Sequence, residues 1–170
     1  MLLKTKKGMA LRATLVLSLV LLGQHSLFAA EHEVAVADNL AETGQLSRQQ
    51  GVPTIVFISR DACPYCRTLR DKILQPMLSA NKFEQRAILV EVSLDRVDPL
   101  TGFKNKQLTA QAFGESYQAG ITPTLLFLDA EGREISKRII GISNLELYGF
   151  YLQKSIDEAL LVIRTGVSEG

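Results

Sequence analysis

The order of hydrophobic periodicities along the chain predicts an α/β domain with a central mixed β-sheet flanked by helices. Three observations carry this. Thr54–Ser59 and residues 87–94 are runs rich in β-branched and apolar residues on both faces, the pattern of strands central in a sheet. Residues 121–128 and 133–140 flank the turn Asp129-Ala-Glu-Gly132 as the two arms of a hairpin. Stretches of helical spacing separate these strands and follow the last of them.

Taken in order, residues 1–30 read as an export signal. Lys4, Lys6, Lys7 and Arg12 precede the apolar stretch 13–22, and Gly23 is followed by small residues at Ala29 and Ala30. That stretch is shorter than the roughly 20 apolar residues of a spanning helix. Cleavage near Ala29 and Ala30 is expected; Leu27, three residues before the cut, is a less usual residue there and leaves an uncleaved anchor as the alternative. One domain then occupies 31–170, with its core at about 39–164.

Asn39 with Glu42 three residues later has the form of a capping box and starts a short helix over 39–50. Gly51-Val52-Pro53 ends it before the first central strand. Beyond the cysteines Cys63 and Cys66, the apolar residues Leu69, Ile73 and Met77 recur at fours on one helix face. Pro64 suits the first turn; Pro76, well inside the pattern, means that the helix either kinks there, the favoured reading, or ends and a second short helix begins. Glu91 interrupts the next strand: either it lies at an exposed end or face, or it is a proton-handling group beneath the cysteines.

Residues 96–106 form a loop or insertion marked by Asp98-Pro99 and Thr101-Gly102, either functional or a tolerated surface addition. Residues 107–118 return to helical spacing, with Ala110, Phe113 and Tyr117 on one face. After the hairpin, Ser143 with Glu146 forms a second capping box. Leu145, Leu152, Ile156, Ala159 and Ile163 then stripe a closing helix to about Arg164, and a tail follows.

Composition excludes some functions. The chain has 170 residues, 46% apolar and 22% charged, and its 19 basic residues against 18 acidic ones leave no excess to attract nucleic acid. Loss of the signal removes four positive charges and leaves 15 basic against 18 acidic residues.

Cys63 and Cys66 are the only cysteines. Bridged, they close a loop too small to stabilise much through chain entropy, so their spacing points to reactivity. The first of them stands where a strand gives way to a helix, a place that favours a thiolate. Half of a zinc site is the alternative, but structural zinc wants about four ligands, and His32 is the only histidine left after signal removal. No metal and no cofactor are expected.

Cys63-Pro-Tyr-Cys66 after a strand, Tyr117 six residues before Pro123 in Pro-Thr, and Gly132 and Gly141 around the hairpin together resemble the thioredoxin fold over about 39–164. Among members of that family it looks like exported thioredoxin-related proteins, including those found beside sulfur-oxidation proteins. The resemblance implies that Thr122-Pro123 is cis, faces the cysteine pair and binds the substrate chain together with Pro64 and Tyr65. Cytosolic thioredoxins carry Trp just before the first cysteine, a buried Asp six positions before it and a lysine in the next strand. Here these positions hold Ala62, Phe57 and Glu91, which makes Glu91 a candidate proton acceptor.

The resulting expectation is a periplasmic or otherwise exported thiol–disulfide oxidoreductase. Cys63 attacks a substrate disulfide, Cys66 resolves the mixed disulfide, and a Cys63–Cys66 disulfide remains. A reductase of exported proteins is favoured over an oxidant, an isomerase or a thioredoxin-fold binding module. Its electrons are expected from a membrane thiol transporter, and the protein is expected to be a monomer.

Overall fold

The computed structural model describes residues 33–166. Residues 1–32, which include the stretch read as an export signal and His32, and the last four residues lie outside the described residues.

The strands are β1 (Ala35–Val36), β2 (Thr54–Ser59), β3 (Ile88–Ser93), β4 (Leu100–Thr101), β5 (Gln107–Leu108), β6 (Thr124–Leu128) and β7 (Glu134–Ile140). The helices are α1 (Leu40–Gln50), α2 (Pro64–Leu69), α3 (Gln75–Ser79), α4 (Ala110–Ser116) and α5 (Leu145–Thr165). A five-stranded sheet runs β1-β3-β2-β6-β7, parallel across β1, β3 and β2 and antiparallel from β2 through β6 to β7, so the sheet is mixed as expected.

Alternation along the strands divides the apolar residues between two cores. Ile55, Phe57, Leu89, Leu125 and Phe127 face the cysteines and α5, while Val56, Ile58, Val90, Val92, Leu126 and Leu128 face the other side with Leu40 and Phe113. Every residue of β2 is buried, which is why both of its faces read as apolar.

Helix α1 begins as expected: Asn39 Oδ1 accepts from the N–H groups of Ala41 and Glu42, and Asn39 Nδ2 donates to Glu42 Oε1 at 2.8 Å. The cap of α5 is Asn144 rather than Ser143, with Leu147 N–H donating to Asn144 Oδ1 at 3.1 Å. Leu145, in the first turn, is exposed, and Tyr148, 3% exposed, joins Leu152, Ile156 and Ala159 in the core stripe. The helical run after the cysteines does not end at Pro76. It widens into a π turn, Arg70–Leu74, in which Gln75 N–H donates to Arg70 O, and continues through Pro76 as α3. An inserted residue ahead of a proline relieves the clash of its ring with the preceding turn.

The insertion is folded rather than loose. Its strand β4 pairs with β5 just beyond residue 106, Gly102 N–H donates to Lys106 O at 2.9 Å, and Leu100 is fully buried. Residues 107 and 108 are therefore strand, and the helix expected from Gln107 starts at Ala110, capped by Thr109. Phe103 crosses to Gly44 of α1 and to Gly132 at the hairpin turn, both positions where a Cβ would collide. Tyr117 Oη donates to Gly132 O at 2.6 Å, tying α4 to the same turn.

Candidate active site

Strand β2 leaves the sheet at Ser59, and the turn 60–62 delivers the chain to Cys63, which caps α2 in extended conformation. Two acids hold this turn. Asp95 pairs with Arg60 Nη1 at 2.7 Å and accepts from Asp61 N–H at 2.9 Å; Asp61 in turn accepts from Ser93 Oγ at 3.0 Å. The flanking arginines are thus engaged, Arg60 with Asp95 and Arg67 Nη1 with Asp61 O at 3.4 Å.

The two cysteines are bonded as a disulfide, with Cα atoms 5.2 Å apart. Their environments differ: Cys63 is 9% exposed at the surface end of the helix, Cys66 is fully buried one turn in, and Cys66 N–H donates to Cys63 Sγ at 3.0 Å. Pro64 occupies the first helical position, where a missing N–H costs nothing. Pro64 and Tyr65 are exposed beside the pair, Tyr65 by 65%.

The Thr122–Pro123 bond is cis. Ile58 opposes Thr124 in the β2–β6 register, so β6 enters the sheet at the end where β2 leaves for the cysteines. Pro123 O accepts from Gly141 N–H at 2.8 Å, which fastens the proline to the end of β7.

Glu91 is not exposed, contrary to the first of its two sequence readings. It is 5% exposed, opposite Phe57 in the β2–β3 register and therefore on the cysteine side of the sheet. Its Oε1 accepts from Ser59 Oγ and Arg70 Nη2, and its Oε2 accepts from Arg70 Nε at 3.1 Å. The Arg70 guanidinium carbon stands 5.5 Å from the Phe57 ring centroid, a cation–π arrangement. The hydrogen bond that Arg70 donates to Glu91 raises the Arg70 pKa, and burial opposes it. A strand carboxylate that interrupts an apolar run demands such a cation; Arg70, four residues after Cys66, is the one that sequence reading missed.

A depression of about 330 Å³ opens onto this pair, lined in part by Glu33, Asp61, Arg70, Glu91 and Ser93. A larger one of about 440 Å³ lies at the far end of the sheet, around Arg48, Asp129 and Arg133. Among the described residues no group of three or more His, Cys, Asp or Glu side chains is placed to hold a metal ion.

Residues 40–154 match the family model described as a thioredoxin-like domain. The chain belongs to that family. No curated protein matches it in sequence. Among solved structures, this thioredoxin-like chain is similar to a DsbH oxidoreductase at 21% identity over 77% of this chain and 88% of that one, with a TM-score of 0.53. A poplar thioredoxin h mutant is 15% identical over 76% and 87%, with a TM-score of 0.52. A thioredoxin from Nicotiana alata is 15% identical over 72% and 94%, with a TM-score of 0.50. At these identities the likeness is one of fold. Family membership together with the bonded Cys-Pro-Tyr-Cys pair makes the thioredoxin-like chain a thiol–disulfide oxidoreductase.

Proposed function

We propose that the protein reduces disulfides in exported proteins, with Cys63 as nucleophile and Cys66 as resolving thiol. The observation that carries this reading is the asymmetry of the pair: Cys63 lies at the surface end of the helix with a backbone N–H donated to its sulfur, and Cys66 is buried behind it. A sulfur that accepts a backbone N–H at a helix start is favoured as thiolate, the attacking form. Its attack opens the substrate disulfide and leaves a mixed disulfide. Cys66 then loses its proton and bonds to Cys63, and the second substrate sulfur leaves as a thiolate that takes up a proton.

Glu91 is the proton acceptor in this scheme, on the cysteine side of the sheet and open to solvent through the depression. Pro64, Tyr65, Thr122 and cis Pro123 form the ledge on which an extended substrate chain lies, Tyr65 offering an exposed ring. The basic and apolar start of the chain supports export to the periplasm, with cleavage near Ala29 and Ala30. Electrons for the oxidised pair come, in this reading, to a monomer from a thiol transporter in the membrane.

The reduction potential of the Cys63–Cys66 couple tests the direction. A value near −270 mV, about that of thioredoxin, is expected; one near −120 mV would make the protein an oxidant.

A further inference from the structure

The charged groups among the described residues lining the depression are Glu33, Asp61, Glu91 and Arg70, and Asp71 stands next to Arg70 on the helix. Arg70 is thus the one cation among the described residues lining the depression, while Arg67 reaches the backbone oxygen of Asp61 from outside it. Asp61 and Asp71 add to Glu91 in raising its pKa, so its charge is secure throughout the range in which thiols titrate.

The geometry places that cation next to the resolving cysteine. Cys66 and Arg70 are four residues apart on one helical run, neighbours about 5–6 Å apart at Cβ. Phe57 lies in the same apolar core as Cys66 and carries the Arg70 guanidinium against its ring. The arginine also opens the π turn, a distortion common at functional sites. Glu91 Oε1 already receives two donors, while Oε2 receives only Arg70 Nε and keeps a lone-pair site.

We propose that Arg70 is a positioning residue of the dithiol reaction: it balances Glu91 in a neutral pair beside Cys66, so that a proton acceptor stands near the resolving thiol without imposing a net negative charge on it. The proposal rests on the dithiol reading above. In the resolving step Cys66 gives its proton to Glu91 Oε2, and the Cys66 thiolate forms the bond to Cys63. The bond between Cys63 and substrate breaks, and the two electrons leave with the substrate thiolate. Without Arg70 the same carboxylate would oppose formation of that thiolate.

The test is the pH midpoint of Cys66 thiolate formation, read by ultraviolet thiolate absorbance in the reduced full chain carrying Cys63→Ser. Arg70→Gln is expected to raise the midpoint by about one pH unit, the size of effect a nearby charge has in a poorly solvated site. Glu91→Gln is expected to lower it, and the double variant to return to within about 0.3 unit of the parent. Arg70→Lys, which keeps the charge and loses the planar fork, is expected to stay near the parent. Coincident midpoints for Arg70→Gln and its parent, or movement of Arg70→Gln and Glu91→Gln in the same direction, would overturn the proposal. Should Arg70→Gln fail to fold, a midpoint in Glu91→Gln that is unchanged or raised overturns it equally. This titration reads charge coupling alone; the dithiol reading fails separately, if the wild-type chain reduces no protein disulfide.

Discussion

Glu91 stands directly opposite Phe57 in the parallel β2–β3 register, and the two share Arg70, the carboxylate taking its hydrogen bonds and the ring its cation. The family resemblance places an acid in the first of these strands and a lysine in the second. Here the ring has the first place, the acid the second, and the cation reaches in from the helix that carries the cysteines.

Breaking this pair costs more than replacing it. Glu91→Ala leaves Arg70, whose side chain is 27% exposed, without its main partner. A loss of about 2–3 kcal/mol is expected, less than for a fully buried pair. Glu91→Leu combined with Arg70→Met is expected within about 1 kcal/mol of wild type, because two apolar chains remove both desolvation costs. Urea unfolding of the reduced forms measures both, and equal losses in the single and double variants would contradict the pairing.

Gly44 predicts a destabilising alanine in a helix. A Cβ there would lie 2.4 Å from the backbone oxygen of Ala130 and 3.2 Å from Phe103 Cδ1. Alanine gains about 1 kcal/mol in helix propensity, but the obstacle is backbone, so α1 or the hairpin turn must shift. A net loss of roughly 1–2 kcal/mol in urea unfolding is expected, with thiol reactivity unchanged because the contact lies at the far end of the sheet.

Tyr117 makes stability fall in alkali. Burial, aided by Asp129 and Glu134, pushes its hydroxyl up to about 12. A phenol unfolds to an ordinary value near 10, so the unfolded chain loses this proton first. The contribution is complete below about pH 10 and is lost between about pH 10 and 12. The ring is part-exposed, which reduces the expected loss to roughly 1–2 kcal/mol. Urea midpoints between about pH 9 and 11.5 check this: wild type is expected to fall more steeply than Tyr117→Phe, and parallel curves would contradict it.

What was legible in the chain follows from how local the determining physics is. Thr54–Ser59 reads as a central strand because every residue in it is buried, and its ends fall where Pro53 and Arg60 interrupt the apolar run. Asn39 caps α1 through its own neighbours, so the capping box could be read directly. Asn144 rather than Ser143 caps α5, a choice between two adjacent capping residue types that spacing alone does not make. The strand pair within 96–108 depends on Phe103 finding Gly44 and Gly132, contacts distant in sequence. Both cysteines and the X-Pro strand were visible as motifs, whereas the Arg70–Glu91–Ser59 cluster was not. Its members come from three elements, and only the sheet register and the π turn bring them together.

The most direct test of the central claim is mixed-disulfide trapping with the two single-cysteine variants. Cys66→Ser is expected to accumulate a covalent Cys63–substrate adduct that dithiothreitol releases, and Cys63→Ser is expected to form none and to lose disulfide reduction. Wild-type reduction rates in both variants, or adducts on Cys66 in place of Cys63, would contradict the account.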